Sequence, residues 1–214
     1  MREFTTLDSL VKICGVTSPA DARVVADAGA DALGVILTAS RRRVDADAAR
    51  SVTEAARGRL VTFGVVDTGD RASLDAVVEG VGVDVVQVHG ELRDDLLATL
   101  RDRHLGVVKV LAIGSEEFAT FDEMLVDAVL VDGPTPGSGV AHSFAGVRER
   151  HFARPVIAAG GLTSHSVASV INAHDVWGVD VASGVESAPG VKDPLRVVEF
   201  VEAARRAFAA REPR

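Results

Sequence analysis

The sequence predicts one α/β domain: a (β/α)8 TIM barrel over residues 1–214, its core at about 11–208 with short tails at both ends. Three observations carry this prediction. Eight short runs rich in Val, Ile and Leu recur along the chain, each followed by a longer amphipathic stretch. The runs are almost wholly apolar, as parallel strands buried on both faces require. A length of 214 residues suits a single barrel of this kind.

The elements follow in order. Leu10–Ile13 is the first strand, and Ser18-Pro19 after it caps and opens a helix that ends at Gly29. Ala32–Leu37 is the second strand, with a helix from Asp45 or Asp47 through Glu54. Leu60–Val66 and Val83–Val88 flank a helix that begins at Asp70 or Ser73. A helix over Arg93–Arg103 leads to the strand Val107–Ala112, and one over Glu116–Met124 leads to Ala128–Val131. Helices over Ala145–His151 and Ser164–Ala173 precede the strands Pro155–Ala158 and Val176–Val181. Asp193-Pro194 opens the last helix, whose apolar stripe is Val197, Val198, Val201, Ala204 and Ala207. Residues 1–9 and 209–214 read as tails. A weak repeat supports the plan. Gly29-Ala30-Asp31-Ala32, Gly82-Val83-Asp84-Val85 and Val126-Asp127-Ala128 each join a helix end to a strand through an Asp. The period is that of a βα unit.

Composition narrows the function. Aromatic residues make up 4% and the net charge is −8, which argues against a nucleic-acid partner. A few amides and one arginine can still bind an anionic small molecule. One cysteine, Cys14, cannot form an internal disulfide, and a reducing, cytoplasmic setting is expected. The first residues lack a signal-peptide apolar stretch, and no run is long enough to span a membrane.

In a barrel, chemistry is built at the carboxyl ends of the strands. Alternation puts Lys12 and Cys14 on one face of the first strand. A nearby ammonium favours the thiolate, a competent base or nucleophile; a small buried residue is the plainer reading. Ser40-Arg41-Arg42-Arg43 is either a solvated turn or the source of one arginine that meets a carboxylate or phosphate, and spacing does not choose among the three. Gln87 and His89 share a face and need polar partners, either substrate or neighbouring side chains. Asp132 ends an apolar strand, where a raised pKa would suit a general acid; a loop-start carboxylate is the alternative. The following glycine-containing loop favours a mobile lid. The small-residue turns Gly160-Gly161 and Ser183-Gly184 end successive late strands, the usual place for a phosphate site in a barrel. Dinucleotide, Walker, nucleophile-elbow and HExxH patterns are absent, and the His residues lack metal-ligand spacing.

These motifs occur in a recognisable order. Lys12-Ile13-Cys14-Gly15, Ser40-x-Arg42-x-Val44, Gln87-Val88-His89-Gly90, Asp132, Gly160-Gly161-Leu162, Asp180-x-x-Ser183-Gly184-Val185-Glu186 and Pro189-Gly190-x-Lys192-Asp193 together resemble the phosphoribosylanthranilate isomerase family of tryptophan biosynthesis, over about residues 11–205. The resemblance implies an Amadori rearrangement with Asp132 as general acid and Cys14 as general base. Arg42 matches the arginine that meets the anthranilate carboxylate. Gly160, Gly161, Ser183 and Gly184 match the phosphate loops, and Lys12, Gln87, His89 and Asp180 are expected near the substrate. No metal or organic cofactor is implied. The expected partner is a small phosphorylated substrate, with no nucleic acid or membrane, and the protein is expected to act as a monomer or homodimer. The chain departs from the family pattern at Arg41, at Ala182 and over Val140–Phe144. The altered loop after the sixth strand raises the alternative of a changed aromatic amine or phosphosugar; a non-catalytic phosphate binder is a further alternative, disfavoured by the retention of both Cys14 and Asp132.

Overall fold

A computed structural model describes residues 4–135, 137 and 143–211. Eight parallel strands close into a barrel in sequence order: β1 (Leu10–Cys14), β2 (Ala32–Ile36), β3 (Val61–Asp67), β4 (Val85–His89), β5 (Gly106–Ala112), β6 (Ala128–Asp132), β7 (Val156–Ala158) and β8 (Gly178–Val181). The outer helices are α1 (Pro19–Asp27), α2 (Ala46–Ala56), α3 (Arg71–Val78), α4 (Asp94–Asp102), α5 (Glu116–Thr120), α6 (Ala145–Arg150), α7 (Val167–Ala173) and α8 (Pro194–Ala209). A small antiparallel hairpin, β9 (Glu186–Ala188) and β10 (Val191–Lys192), follows β8. Sequence periodicity did not reveal it, because neither strand is long enough to show alternation.

The caps act where the sequence places them. Ser18, Asp45, Asp70, Ser115 and Asp193 accept hydrogen bonds from first-turn amides of their helices. Each such bond satisfies an amide that has no partner within the helix. The repeated Asp has a shared role at the amino-terminal rim. Asp31 Oδ2 accepts from Val11 N at 2.7 Å, Asp84 Oδ2 from Thr62 N at 2.8 Å, and Asp127 Oδ2 from Val107 N at 2.7 Å. Each carboxylate staples the start of one strand to the entry of the next, so the repeat is a register device.

Alternation divides the barrel interior into two zones. Leu10, Ala32, Phe63, Val85, Val108, Leu130 and Ile157 form an apolar inner cluster. Along the same inward rows, toward the carboxyl ends, stand the buried polar residues Lys12, Gln87, Asp132 and Asp180. The fold therefore delivers polar side chains only to one mouth of an otherwise apolar barrel.

Four expectations are corrected. The N-terminal segment is no tail: Phe4 is 4% exposed and packs on Phe63 and Trp177, with ring centroids 5.7 and 6.1 Å apart. Trp177 Nε1 donates to the Leu7 carbonyl at 2.9 Å, so the segment closes the amino-terminal end of the barrel. The helix expected over Glu116–Met124 stops at Thr120, and a separate 3-10 turn covers Glu123–Leu125. The helix expected from Ser164 begins at Val167. In α8, Val198 faces solvent at 38% exposure and Phe200 is the buried residue instead, so one member of the stripe is exchanged. Phe4→Ala is expected to destabilise the fold by about 3–5 kcal/mol, the usual cost of emptying a buried aromatic site. Chemical denaturation reads that loss, while kcat is expected to be unchanged because the plug lies at the mouth opposite the polar side chains.

Candidate active site

The polar mouth is built by strand parity. Lys12 on β1 is level with Asp180 on β8, and its Nζ donates to Asp180 Oδ1 at 2.9 Å. The ammonium also lies 5.1 Å from the Phe63 ring centroid and is fully buried. Burial alone would lower Lys12, but the Asp180 carboxylate and then Cys14 outweigh it and hold the amine charged. Two residues further along β1, Cys14 is level with Gly34 on β2. A Cβ at position 34 would lie 2.8 Å from Cys14 Sγ and 3.1 Å from Lys12 Nζ. Gly34 is therefore what makes room for thiol and ammonium side by side. A glycine inside a strand was the available signal for this close approach.

Placing an ammonium near the thiol led the sequence to suggest a favoured thiolate. Lys12 and Lys192 do act in that direction, but burial is the largest influence, Asp180 adds to it, and the Cys14 thiol is pushed up. His89, at the end of β4, is lowered mainly by burial and is neutral at neutral pH. Gln87 lies two residues before it, and its Oε1 is buried with no partner. An unmet acceptor facing a cleft is ready for a ligand donor.

Among the three arginines the structure chooses one. Arg42 crosses the end of β1, where a Cβ on Gly15 would meet its Cδ at 2.5 Å; Gly15 also has φ +70°. Its guanidinium is held in a fork by Glu186, with Nε donating to Oε1 at 2.7 Å and Nη2 to Oε2 at 2.9 Å. Arg43 instead turns back, its Nε donating to the Leu37 carbonyl at 3.1 Å. The fork with Glu186 leaves the Nη1 donors of Arg42 for another anion.

Asp132 at the end of β6 is 7% exposed. Its Oδ1 accepts from Gly133 N at 2.7 Å and its Oδ2 from Gly137 N at 2.8 Å. These amides fix the carboxyl group at the mouth. The expected lid falls mainly on 136 and 138–142, which lie outside the described residues. Phe144, one of the departures from the family pattern, is buried 5.9 Å from His174 between ring centroids and precedes the first residue of α6.

After β7, Gly160 and Gly161 have φ of +95° and +65°, the left-handed region that suits glycine. After β8 a short 3-10 turn runs over Ser183–Val185. Gly184 there passes so close to the Leu162 carbonyl that a Cβ would lie 2.0 Å from its oxygen. Gly184 thus packs the two loops together. A loop pair after the seventh and eighth strands with a short extra helix is the phosphate-site arrangement of barrels.

Cys14, Arg42, His89, Asp132, Gly160 and Ser183 line one cleft, together with Gln87, Asp180 and Gly161 among others. Lys12 and Gly184 are not in its lining: the first is fully buried two residues before Cys14 on β1, and the second packs on the Leu162 carbonyl. Glu186 and Lys192 stood within recognised motifs but had no assigned role in the sequence. Their partners lie 144 and 178 residues away, at Arg42 and Cys14, which local pattern cannot reveal. Among the described residues no group of three or more His, Cys, Asp or Glu could hold a metal ion, and no helix is long and apolar enough to cross a membrane.

Residues 11–203 match the family described as N-(5'phosphoribosyl)anthranilate (PRA) isomerase. The chain is 38% identical over 207 residues to N-(5'-phosphoribosyl)anthranilate isomerase of Rhodopseudomonas palustris (strain BisA53), covering 91% of this chain and 95% of the relative. Among solved structures, TrpF from Jonesia denitrificans is 35% identical with a TM-score of 0.81, over 95% of this chain and 100% of that one. A phosphoribosyl anthranilate isomerase in complex with reduced 1-(o-carboxyphenylamino)-1-deoxyribulose 5-phosphate is 27% identical with a TM-score of 0.75, over 92% of this chain and 99% of that one. With a matched stretch that runs from β1 into α8, the chain belongs to the phosphoribosylanthranilate isomerase family.

Proposed function

We propose that the chain catalyses the Amadori rearrangement of N-(5-phosphoribosyl)anthranilate to 1-(2-carboxyphenylamino)-1-deoxyribulose 5-phosphate. Asp132 protonates the furanose ring oxygen. The C1–O bond breaks, its electron pair leaves with oxygen, and the anthranilate nitrogen becomes a protonated imine at C1. Cys14, as thiolate, removes the C2 proton, and those electrons form a C1–C2 double bond while the nitrogen is neutralised. The enolamine then tautomerises to the C2 ketone, so C1 is reduced and C2 oxidised. One acid and one base from the chain suffice for this sequence. Arg42 meets the anthranilate carboxylate, and Gly160, Gly161 and Ser183 form the cradle for the phosphate, with Gly184 packing the two loops together. Gln87 and His89 face the sugar, with Lys12 and Asp180 supporting Cys14 from below.

The observation that carries this reading is that Cys14 and Asp132 line one cleft, with β7 and β8 and their loops between β6 and β1. Remote phosphate binding then orients a ring between acid and base. Of the departures from the family pattern, Phe144 is buried against His174 and does not line the cleft, whereas Ala182 does. In this reading one barrel domain acts in the cytoplasm as a monomer or homodimer. A spectroscopic isomerase assay on enzymatically generated phosphoribosylanthranilate tests it. Turnover of about 1 to 1,000 per second is expected. Ligand binding with no turnover would leave the non-catalytic binder in its place.

A further inference from the structure

Two buried charges beside the site have no part in the reaction steps above. Glu186 and Lys192 are 7% and 3% exposed. Glu186 Oε1 accepts from Arg42 Nε at 2.7 Å, from Lys192 Nζ at 2.9 Å and from Gly190 N at 3.3 Å, and Oε2 accepts from Arg42 Nη2 at 2.9 Å. Lys192 Nζ also donates to the Cys14 carbonyl at 2.7 Å and to the Ala182 carbonyl at 3.2 Å. An ammonium has three donors, and here three acceptors meet them. The result is an unbroken chain: Arg42, Glu186, Lys192, Cys14.

A buried ion pair is a poor way to stabilise a loop, since well-packed apolar side chains do so at equal or lower cost. Apolar residues at 186 and 192 could hold the β9–β10 hairpin together. They could not fix a guanidinium in a fork, nor place a cation against the backbone of the residue that carries the thiol. The charges are explained by what they hold.

We infer that Glu186 and Lys192 are positioning residues: Glu186 sets Arg42 for the substrate carboxylate, and Lys192 fixes the Cys14 end of β1 and sets a positive charge beside it. The inference rests on the isomerase reading for the role of Arg42, but not for the contact with Cys14. The charged groups that face Cys14 are Lys12 on its own strand, Asp180 from β8, Lys192 from β10 and Arg42 from the loop after β2. Lys12 and Lys192 favour the thiolate, whereas Asp180 and burial disfavour it. Glu186 is held below the usual carboxylate range: burial acts against this, and Arg42 and Lys192 outweigh it. It therefore remains an anion between the Arg42 guanidinium and the Lys192 amine; burial lowers Lys192 from its ordinary value, and the Glu186 carboxylate acts against that lowering.

Cys14 is the one cysteine in the chain, so the pH dependence of iodoacetamide alkylation reads this thiol alone and needs no substrate. Lys192→Met is expected to move the alkylation midpoint to higher pH by about one unit and to lower kcat by about tenfold at neutral pH. Glu186→Gln keeps the shape and an acceptor for Lys192 but loses the fork on Arg42. It is expected to raise KM by about tenfold with kcat within about twofold. A merely structural pair would move neither the alkylation midpoint nor KM in variants shown to be folded by circular dichroism. A folded Lys192→Met protein with the wild-type alkylation profile would overturn the role of Lys192. If that variant does not fold, Glu186→Gln decides, and a wild-type KM overturns the inference. Absence of turnover in the wild type would remove the isomerase reading and leave the alkylation result to stand for Lys192.

Discussion

Cys14→Ala is expected to lower kcat by roughly 100- to 10,000-fold while KM stays near the wild-type value. Cys14 lies in the cleft wall level with Gly34, and the substitution removes only its sulfur. Lys12 keeps Asp180 at 2.9 Å, so no buried charge is stranded and the fold is retained. Cys14→Ser is not expected to rescue the rate, because a hydroxyl ionises far above a thiol. The wild-type pH profile carries the same argument. Burial pushes the thiol up, so the reactive thiolate is the minor form at neutral pH. kcat/KM is therefore expected to climb with pH on its acid side, approaching tenfold per unit. Stability runs the other way. A raised folded-state value means that the native state keeps the thiol proton after the unfolded chain has lost it. That contribution is complete below the ordinary thiol value of 9.0 and is lost as pH rises through the folded value. Cys14→Ala should abolish both the activity slope and this alkaline loss. Steady-state kinetics and denaturation across the same pH range check both, and an unchanged rate would remove Cys14 from the role of base.

Much of this site could be read from the chain because strand parity is a short-range rule. Lys12 and Cys14, Gln87 and His89, and Asp132 after Leu130 all point inward for the same reason, and each strand end is marked by a polar residue after an apolar run. What escaped the sequence is what depends on distant partners or on very short elements. Phe4 sits in a mixed, charged segment with no period, and only the Phe63 and Trp177 rings make it a plug. Spacing left three adjacent arginines open and only the family motif singled out Arg42; the Glu186 fork that holds it comes from far along the chain. The state of the thiol stayed open because a neighbouring ammonium is visible in the sequence and the degree of burial is not. The repeated Asp was visible as a pattern, but its staple to the preceding strand emerged only with the register.

Asp132→Asn is expected to cost roughly 100- to 10,000-fold in kcat, again with little change in KM. The side chain keeps its size, so the barrel wall is preserved, but an amide has no acidic proton to give to the ring oxygen. The amide oxygen can accept from only one side: either Gly133 N or Gly137 N, now bonded at 2.7 and 2.8 Å, loses its acceptor. The amide left without an acceptor, Gly133 or Gly137, is therefore expected to show faster hydrogen exchange. The decisive comparison is the double variant. Ring opening and C2 deprotonation are successive steps on one path, and each substitution raises a different barrier. The rate of Cys14→Ala with Asp132→Asn should then match the slower single variant to within about tenfold, not the product of the two losses. A fully multiplicative loss would mean that both groups act in the same step, and a single Asp132→Asn protein with wild-type kcat would take Asp132 out of the chemistry altogether.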